Sequence, residues 1–520
     1  MVAPTAVGRR VVAAPHPGAA RGSSPAIGPE VGEAGGASPV ADASAAPPSV
    51  WDRRWGSVAT LWAVMLFGYA MFDKGFAYLH LPGTPLFIGE LALLPVVALL
   101  ATDTRWFRGH RLLPFSALTA FVGWAALRLV QSLPAYRIDA LRDSALWYYA
   151  LVGAFVVAWF RRTGPEQAFA RCLRFASALT WPLLVWAPFA ILAERAGGTT
   201  VGPKVPFTDV SILTHKPSNL APLLTMVALL AWHDRWSGAS ERRRTVIFTI
   251  AVIDIAAVGT QTRGGFLAAA FGIVIGTTVL PSSLRLGRVA RRALAVCLAF
   301  FVISFALDLK VSAGRDLGVR QLTNNTLSLV GLNYEDRNDP VRGTLEGNAE
   351  WRERLWATII DKTFLNEREV SGWGFGPNLG DELGFENQLG DGSLRSPHNS
   401  HLSVFARMGA IGLILWLSLW ATWAASLAAL ARRRDCREQR VRVAAAVLIG
   451  MMVALHINAY FDPAYESPQA GAWMWAVFGA GCGLLLVRRN VVTPPTLLHY
   501  AQQPPWPAQR LRRFFGLPVA

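Results

Sequence analysis

Long apolar runs alternate with short polar segments along almost the whole chain. Stretches close to the roughly 20 apolar residues that a membrane-spanning helix needs fall at 56–73, 86–101, 112–131, 145–160, 172–193, 218–233, 245–261, 264–280, 292–308, 402–430, 443–460 and 470–487. This pattern predicts an all-α, polytopic transmembrane helical protein of about twelve spans. It divides the chain into a tail at 1–50, nine spans over 51–308, a polar segment at 309–401, three spans over 402–487 and a second tail at 488–520. A polar segment of about ninety residues is too long for a plain connector between two spans.

That segment has an order of its own. From Thr344 to Phe364, apolar residues recur at Leu345, Trp351, Leu355, Trp356, Ile359, Ile360 and Phe364. This is the period of an amphipathic helix. The glycine-rich stretch Ser371 to Pro377 predicts a turn whose backbone approaches a ligand closely. An acidic stretch, Asp381 to Asp391, then leads into Ser396-Pro397-His398-Asn399-Ser400-His401, where the apolar run from Leu402 begins.

Composition strengthens the membrane reading. Charged residues make up only 16% of the chain, against about 25% in soluble domains, and there are twenty Trp. The net charge of +16 would suggest nucleic acid in a soluble protein. Here the arginines cluster in every second loop, at 161–162, 242–244 and 432–434 among others. They set topology, so no nucleic-acid partner is expected. The opposite loops are mixed in sign. By the positive-inside rule both termini are cytoplasmic and 309–401 is a large helical extracytoplasmic loop between spans nine and ten. Residues 1–50 are too poor in large apolar side chains to fold, and hold no signal-peptide core. Cys172, Cys297, Cys436 and Cys482 match no zinc spacing, and this topology places none of them outside.

Ionisable residues in spans are functional candidates. Glu90, Arg128, His456, Asn458 and Arg263 all fall near the outer ends of their spans, and Asp254 deeper. They either pair with one another or line a common polar cavity. Arg263 sits in the tight turn Thr262-Arg263-Gly264-Gly265, where a guanidinium fits a phosphate as a fork. Lys216, Arg352 and Arg354 are further outside cations, and with Arg263 they suit a pyrophosphate. His398 is the natural base, because imidazole takes a proton near neutral pH. Asn399 or Ser400 would cap the helix that follows. His398 and His401 as a metal pair remains open at this point, although no HExxH, D-x-D or Walker A sequence is present.

In their order, these segments resemble the O-antigen ligase and O-antigen polymerase family of bacterial membrane glycosyltransferases. The matching residues run from Thr260 to Leu267, from Arg352 to Trp356, from Gly372 to Gly376, from His398 to Leu402, and from Phe461 to Ser467 with Pro468. The resemblance covers roughly 56–487 and implies a GT-C-type fold of twelve spans in the bacterial inner membrane. It implies transfer of a glycan from an undecaprenyl-pyrophosphate donor to an acceptor sugar at the extracytoplasmic face, with inversion and without metal or other cofactor. His398 would activate the acceptor hydroxyl. Arg263 and Arg352 would hold the pyrophosphate, with Arg354 and Lys216 beside them and Asn399 and His401 in support. Ligase and polymerase members share these motifs, and a transporter of an anionic glycoconjugate is the alternative outside the family.

Overall fold

The computed structural model describes residues 50–84, 86–103, 112–196, 202–233, 239–281, 340–383, 395–433 and 439–490. The span expected at 292–308, both tails, the first part of the polar segment and most of the acidic stretch lie outside these residues. Within them the chain forms α1 (Val50–Ala77), α2 (Ile88–Thr102), α3 (Leu113–Asp143), α4 (Ala145–Tyr148), α5 (Ala150–Thr163), α6 (Pro165–Arg195) and α7 (Pro217–His233). There follow α8 (Glu241–Gln261), α9 (Arg263–Val279), α10 (Pro340–Leu365), α11 (Leu379–Glu382), α12 (Ser400–Arg432), α13 (Gln439–Tyr460) and α14 (Pro468–Asn490). The described residues hold no strand, only isolated bridges at His80–Phe87 and Lys204–Ser211.

Every apolar run read from the sequence within the described residues falls on helix. Among the described residues seven helices are long and apolar enough to cross a membrane: α1, α3, α6, α8, α12, α13 and α14. The shorter apolar helices α2 and α9 accompany them. Proline opens several of them, at Pro165, Pro217 and Pro468, where its missing N–H costs nothing. The core is built on α14, whose apolar window is almost wholly buried, and on α13. Small residues let α13 press against α9: a Cβ on Gly272 would lie 2.6 Å from the carbonyl oxygen of Gly450. Such close approach is how helices associate where no hydrophobic effect drives them together.

Two features shape the end of the bundle where α12 begins. The first is a break in α12 at Gly409, which adopts φ 67°. A side chain there would be strained and would place its Cβ 2.2 Å from the Val370 oxygen. The break frees helix carbonyls, and each finds a donor: Ala406 from Trp373 N at 2.7 Å, Arg407 from Gly374 N at 2.9 Å and Met408 from the Trp124 indole at 2.9 Å. Irregular backbone is tolerated inside a spanning helix when protein buries it in this way. The second feature is the glycine-rich turn that supplies two of those donors. It does not present its backbone to a ligand, as the sequence suggested. It is wedged between α3 and α12, and a Cβ on Gly376 would lie 2.1 Å from the Tyr136 Cβ.

Helix α10 is amphipathic as expected, with a difference. Leu355 and Ile359 are buried against Leu379, Leu383 and Ala406. Ile360 and Phe364, also in the apolar period, are exposed.

Candidate functional site

His398 stands in the turn before α12, in a conformation that its sequence does not announce. Its φ is 53°, the left-handed region that non-glycine residues seldom occupy. Such strain collects at functional sites and persists only where the surroundings over-determine it. They do so here from both sides. Asn399, not Ser400, caps α12: its side-chain oxygen accepts from the His401 and Leu402 N–H groups at 3.0 and 3.1 Å. Ser400 instead ties α12 to the segment after α13, donating to the Asp462 carbonyl at 3.2 Å and accepting from Tyr465 N at 3.1 Å. Upstream, the Trp356 indole of α10 donates to the Pro397 carbonyl at 2.7 Å. Among the described residues nothing hydrogen-bonds the His398 ring, and its closest ring neighbour is Trp351, 5.7 Å away edge to face.

Cations surround this ring. Lys216, at the start of α7, forms an ion pair with Asp462, whose side chain is nearly buried. Arg352 on α10 is half-buried and lies within electrostatic reach of both His398 and Asp462. Burial pushes the His398 imidazole below its ordinary value of 6.5; Arg352 and Lys216 push the same way and Asp462 opposes them. These effects favour the neutral ring, and a neutral imidazole with a free nitrogen accepts a proton. Burial also lowers the Arg352 guanidinium, against the pull of Asp462.

Arg263 is the first residue of α9 and is half-buried. The Thr262 hydroxyl caps its helix, accepting from Gly265 N at 3.3 Å. The turn is pressed between the start of α7 and Phe461: a Cβ on Gly264 would lie 2.8 Å from the Phe461 ring, and one on Gly265 3.2 Å from the Ser218 Cα. The turn thus abuts the neighbours of Lys216 and Asp462. Arg354 is not brought to this group. It lies two residues from Arg352, close to the opposite side of α10, and is exposed.

His401 has a different place. The Trp416 indole can only donate, so Nδ1 of His401 accepts, at 3.1 Å. A carbonyl can only accept, so Nε2 donates to the His456 oxygen, at 3.0 Å. Both nitrogens are committed, and the ring is a neutral structural element. Among the described residues no group of three His, Cys, Asp or Glu could hold a metal ion.

Several residues that the sequence did not single out hold the site together. Asp73 is buried at a break in α1 with φ 40°. Its carboxylate accepts from Lys216 N at 2.7 Å and from the Asn219 amide at 2.9 Å, so it fixes the start of α7. Arg407, on the first part of α12, is 1% exposed and pairs with Asp143 at 2.8 Å. The same carboxylate accepts from Gly376 N at 2.9 Å and lies 3.4 Å from Arg395. The Arg407 guanidinium also donates to the Arg395 carbonyl at 3.2 Å. Glu466 accepts from the Ser403 hydroxyl; burial raises its carboxyl and Arg407 opposes the shift. An arginine within the first turns of an apolar run is the signal that could have revealed this network.

The intramembrane polar residues do not share one cavity. Glu90 accepts from the Tyr148 and Tyr149 hydroxyls at 2.8 and 3.2 Å. Arg128 donates to the Gly372 carbonyl at 3.0 Å, and His456 bonds the Tyr465 hydroxyl at 3.0 Å. Asn458 alone of that set lines a small cavity, with Tyr69, Asp73, His215, Asn219 and Gln469. Asp254 is buried in α8.

The fold and this end of it define a multi-pass helical membrane protein with a histidine set beside cations. Residues 246–417 match the O-antigen ligase family (Wzy_C), which supports a ligase-like, glycan-transferring role in a membrane. The match takes in Arg263, Arg352, His398 and His401; Lys216 and Asp462 lie beyond it. No characterised protein compared with the chain matches it.

Proposed function

We propose that the protein transfers a glycan from an undecaprenyl-pyrophosphate donor to an acceptor sugar at the extracytoplasmic face of the bacterial inner membrane, in the manner of a ligase. Both termini are then cytoplasmic, and the end of the bundle that carries His398 faces outward, as the arginine distribution requires. The observation that carries this reading is the place of the His398 ring, held in a strained turn beside Arg352 and the Lys216–Asp462 pair.

In this reaction the acceptor hydroxyl gives its proton to the free nitrogen of His398 as its oxygen attacks the anomeric carbon. The bond from that carbon to the phosphate oxygen breaks on the opposite face, which inverts the configuration. Undecaprenyl pyrophosphate leaves with the electron pair. Arg352, Lys216 and Arg263 stabilise the charge that grows on the leaving oxygens. With fixed cations in that role and both His401 nitrogens committed, no metal ion is required.

The test is transfer by the purified chain in liposomes, with defined lipid-pyrophosphate glycan and separate acceptors. Product on a free or lipid-A-type glycan supports the ligase reading. Product only on a second lipid-pyrophosphate glycan makes it a polymerase, and movement of intact donor across the bilayer makes it a transporter. Activity lost on chelation and restored by one divalent metal would overturn the metal-independent step.

A further inference from the structure

Helix α10 meets His398 with two kinds of side chain. Arg352 brings charge. Trp351, its neighbour in sequence, brings an indole whose centroid is 5.7 Å from that of His398, at 71° to it. One turn beyond Arg352, Trp356 spends its N–H on the Pro397 carbonyl and rests its ring on Tyr460, 5.4 Å away at 70°. Tyr460 ends α13, two residues before Asp462, and is 45% exposed. Among the described residues its hydroxyl makes no hydrogen bond.

His398 is therefore flanked by cations, Arg352 and Lys216, and by aromatic rings, Trp351 and, through Pro397, the Trp356–Tyr460 pair. A molecule that puts a hydroxyl within about 2.6–3.2 Å of a His398 nitrogen must lie along one set or the other. The cations suit a pyrophosphate, which leaves the aromatic side to the molecule that attacks, the acceptor. A pyranose has an apolar C–H face with hydroxyls around its edge. An aromatic ring offers the matching surface, an apolar face with negative charge above it, and a tyrosine adds a polar tip. Membrane interfaces also collect Trp and Tyr for lipid headgroups. Here, however, the Trp356 N–H is turned inward, onto the carbonyl just before His398, so the aromatic set is built into the turn that carries the base.

We propose that Trp351 and Tyr460, supported by Trp356, form the acceptor subsite, and that its occupant is a pyranoside laid with its C–H face on these rings. The proposal rests on the glycan-transfer reading above and names the side on which the acceptor enters.

The experiment uses the full chain in lipid discs and has two arms. In the first, transfer is measured against varied acceptor glycan at fixed lipid-pyrophosphate donor, and the reverse. Trp351→Ala and Tyr460→Ala should each raise the acceptor KM roughly three- to tenfold, the scale of one aromatic contact, with the donor KM unchanged. Trp351→Phe should recover most of the loss, and thermal unfolding of Tyr460→Ala checks that the fold survives loss of its contact with Trp356. An unchanged acceptor KM in both alanine variants, or an equal rise for donor and acceptor, would overturn the proposal. The second arm needs no turnover: saturation-transfer NMR of the acceptor glycan on wild type and on both variants. If wild type transfers nothing, the functional reading falls and this arm still decides. Loss of the ring C–H signals in the variants sustains the subsite, and equal signals remove it.

Discussion

The Trp416 indole donates to Nδ1 of His401 at 3.1 Å, and this bond separates two histidines that look alike in sequence. With Nε2 also bound, His401 has no nitrogen for a substrate, whereas both nitrogens of His398 are open among the described residues. Their variants should fail differently. Replacing His398 with Ala should slow single-turnover transfer about 10²–10⁴-fold, the usual cost of a lost general base, and leave donor affinity intact. His401→Phe strands a buried indole N–H and a carbonyl and should cost about 1–3 kcal/mol of stability. Its folded fraction should still transfer. Denaturation and turnover measured on the same preparations check both, and a His398→Ala enzyme with near wild-type turnover removes the assignment.

The rate should depend on pH through His398. Its protonated form is the inactive one, and burial, Arg352 and Lys216 all disfavour that form. Activity should therefore persist below the ordinary histidine value of 6.5 and fall as the pH drops through the lowered one. Loss of a nearby cation makes protonation easier, so Lys216→Met should move the acid limb upward. Loss of the carboxylate should do the opposite, and Asp462→Asn should move it downward. The measurement is the pH dependence of kcat/KM for the three enzymes.

Two neighbouring arginines of α10 give a sharper contrast. Arg352 is half-buried beside Asp462 and His398, and Arg354 is exposed. Arg352→Ala should weaken donor binding and slow transfer together. Arg354→Ala should stay within about 0.5 kcal/mol of wild type in stability, as surface substitutions usually do, and close to it in donor affinity. Arg263→Lys should recover little of what Arg263→Ala loses, because an ammonium cannot form a two-pronged contact with phosphate. Titration with donor at fixed detergent composition checks all four.

The buried Asp143–Arg407 pair should behave as a joint. Arg407→Met leaves a buried carboxylate with its main cation gone and should cost about 3–5 kcal/mol. The double variant Asp143→Asn, Arg407→Met should regain part of that loss. Thermal unfolding in a single detergent reads both, and a single variant as stable as wild type would show that Arg395 alone holds Asp143.

Much of this architecture was legible in the sequence because it rests on local signals. Apolar runs, a helix cap at Asn399 or Ser400, a charged glycine turn at Arg263 and the period of α10 are all patterns of near neighbours. The missing parts depend on long-range placement. Lys216 and Asp462 are 246 residues apart, and only the packing of α7 against α13 joins them. The glycines at 372, 374 and 376 looked like a ligand turn, since a glycine in sequence does not say what comes close to it; α3 and α12 do. Nothing local in the sequence foretells the break at Asp73, with φ 40°, near the end of an apolar helix.

The break at Gly409 has a mechanical meaning. North of it, the first turns of α12 are riveted to the glycine-rich turn, to Trp124 and to the segment after α13. South of it, the rest of α12 runs on as a greasy rod bearing Ile411, Ile414 and Leu417 on its outer face. A continuous helix would transmit every tilt of that rod to His398. Such a joint should let the far end of the rod follow the thickness of the bilayer while the histidine keeps its station, so lipid chain length should change how the bundle sits more than how it works.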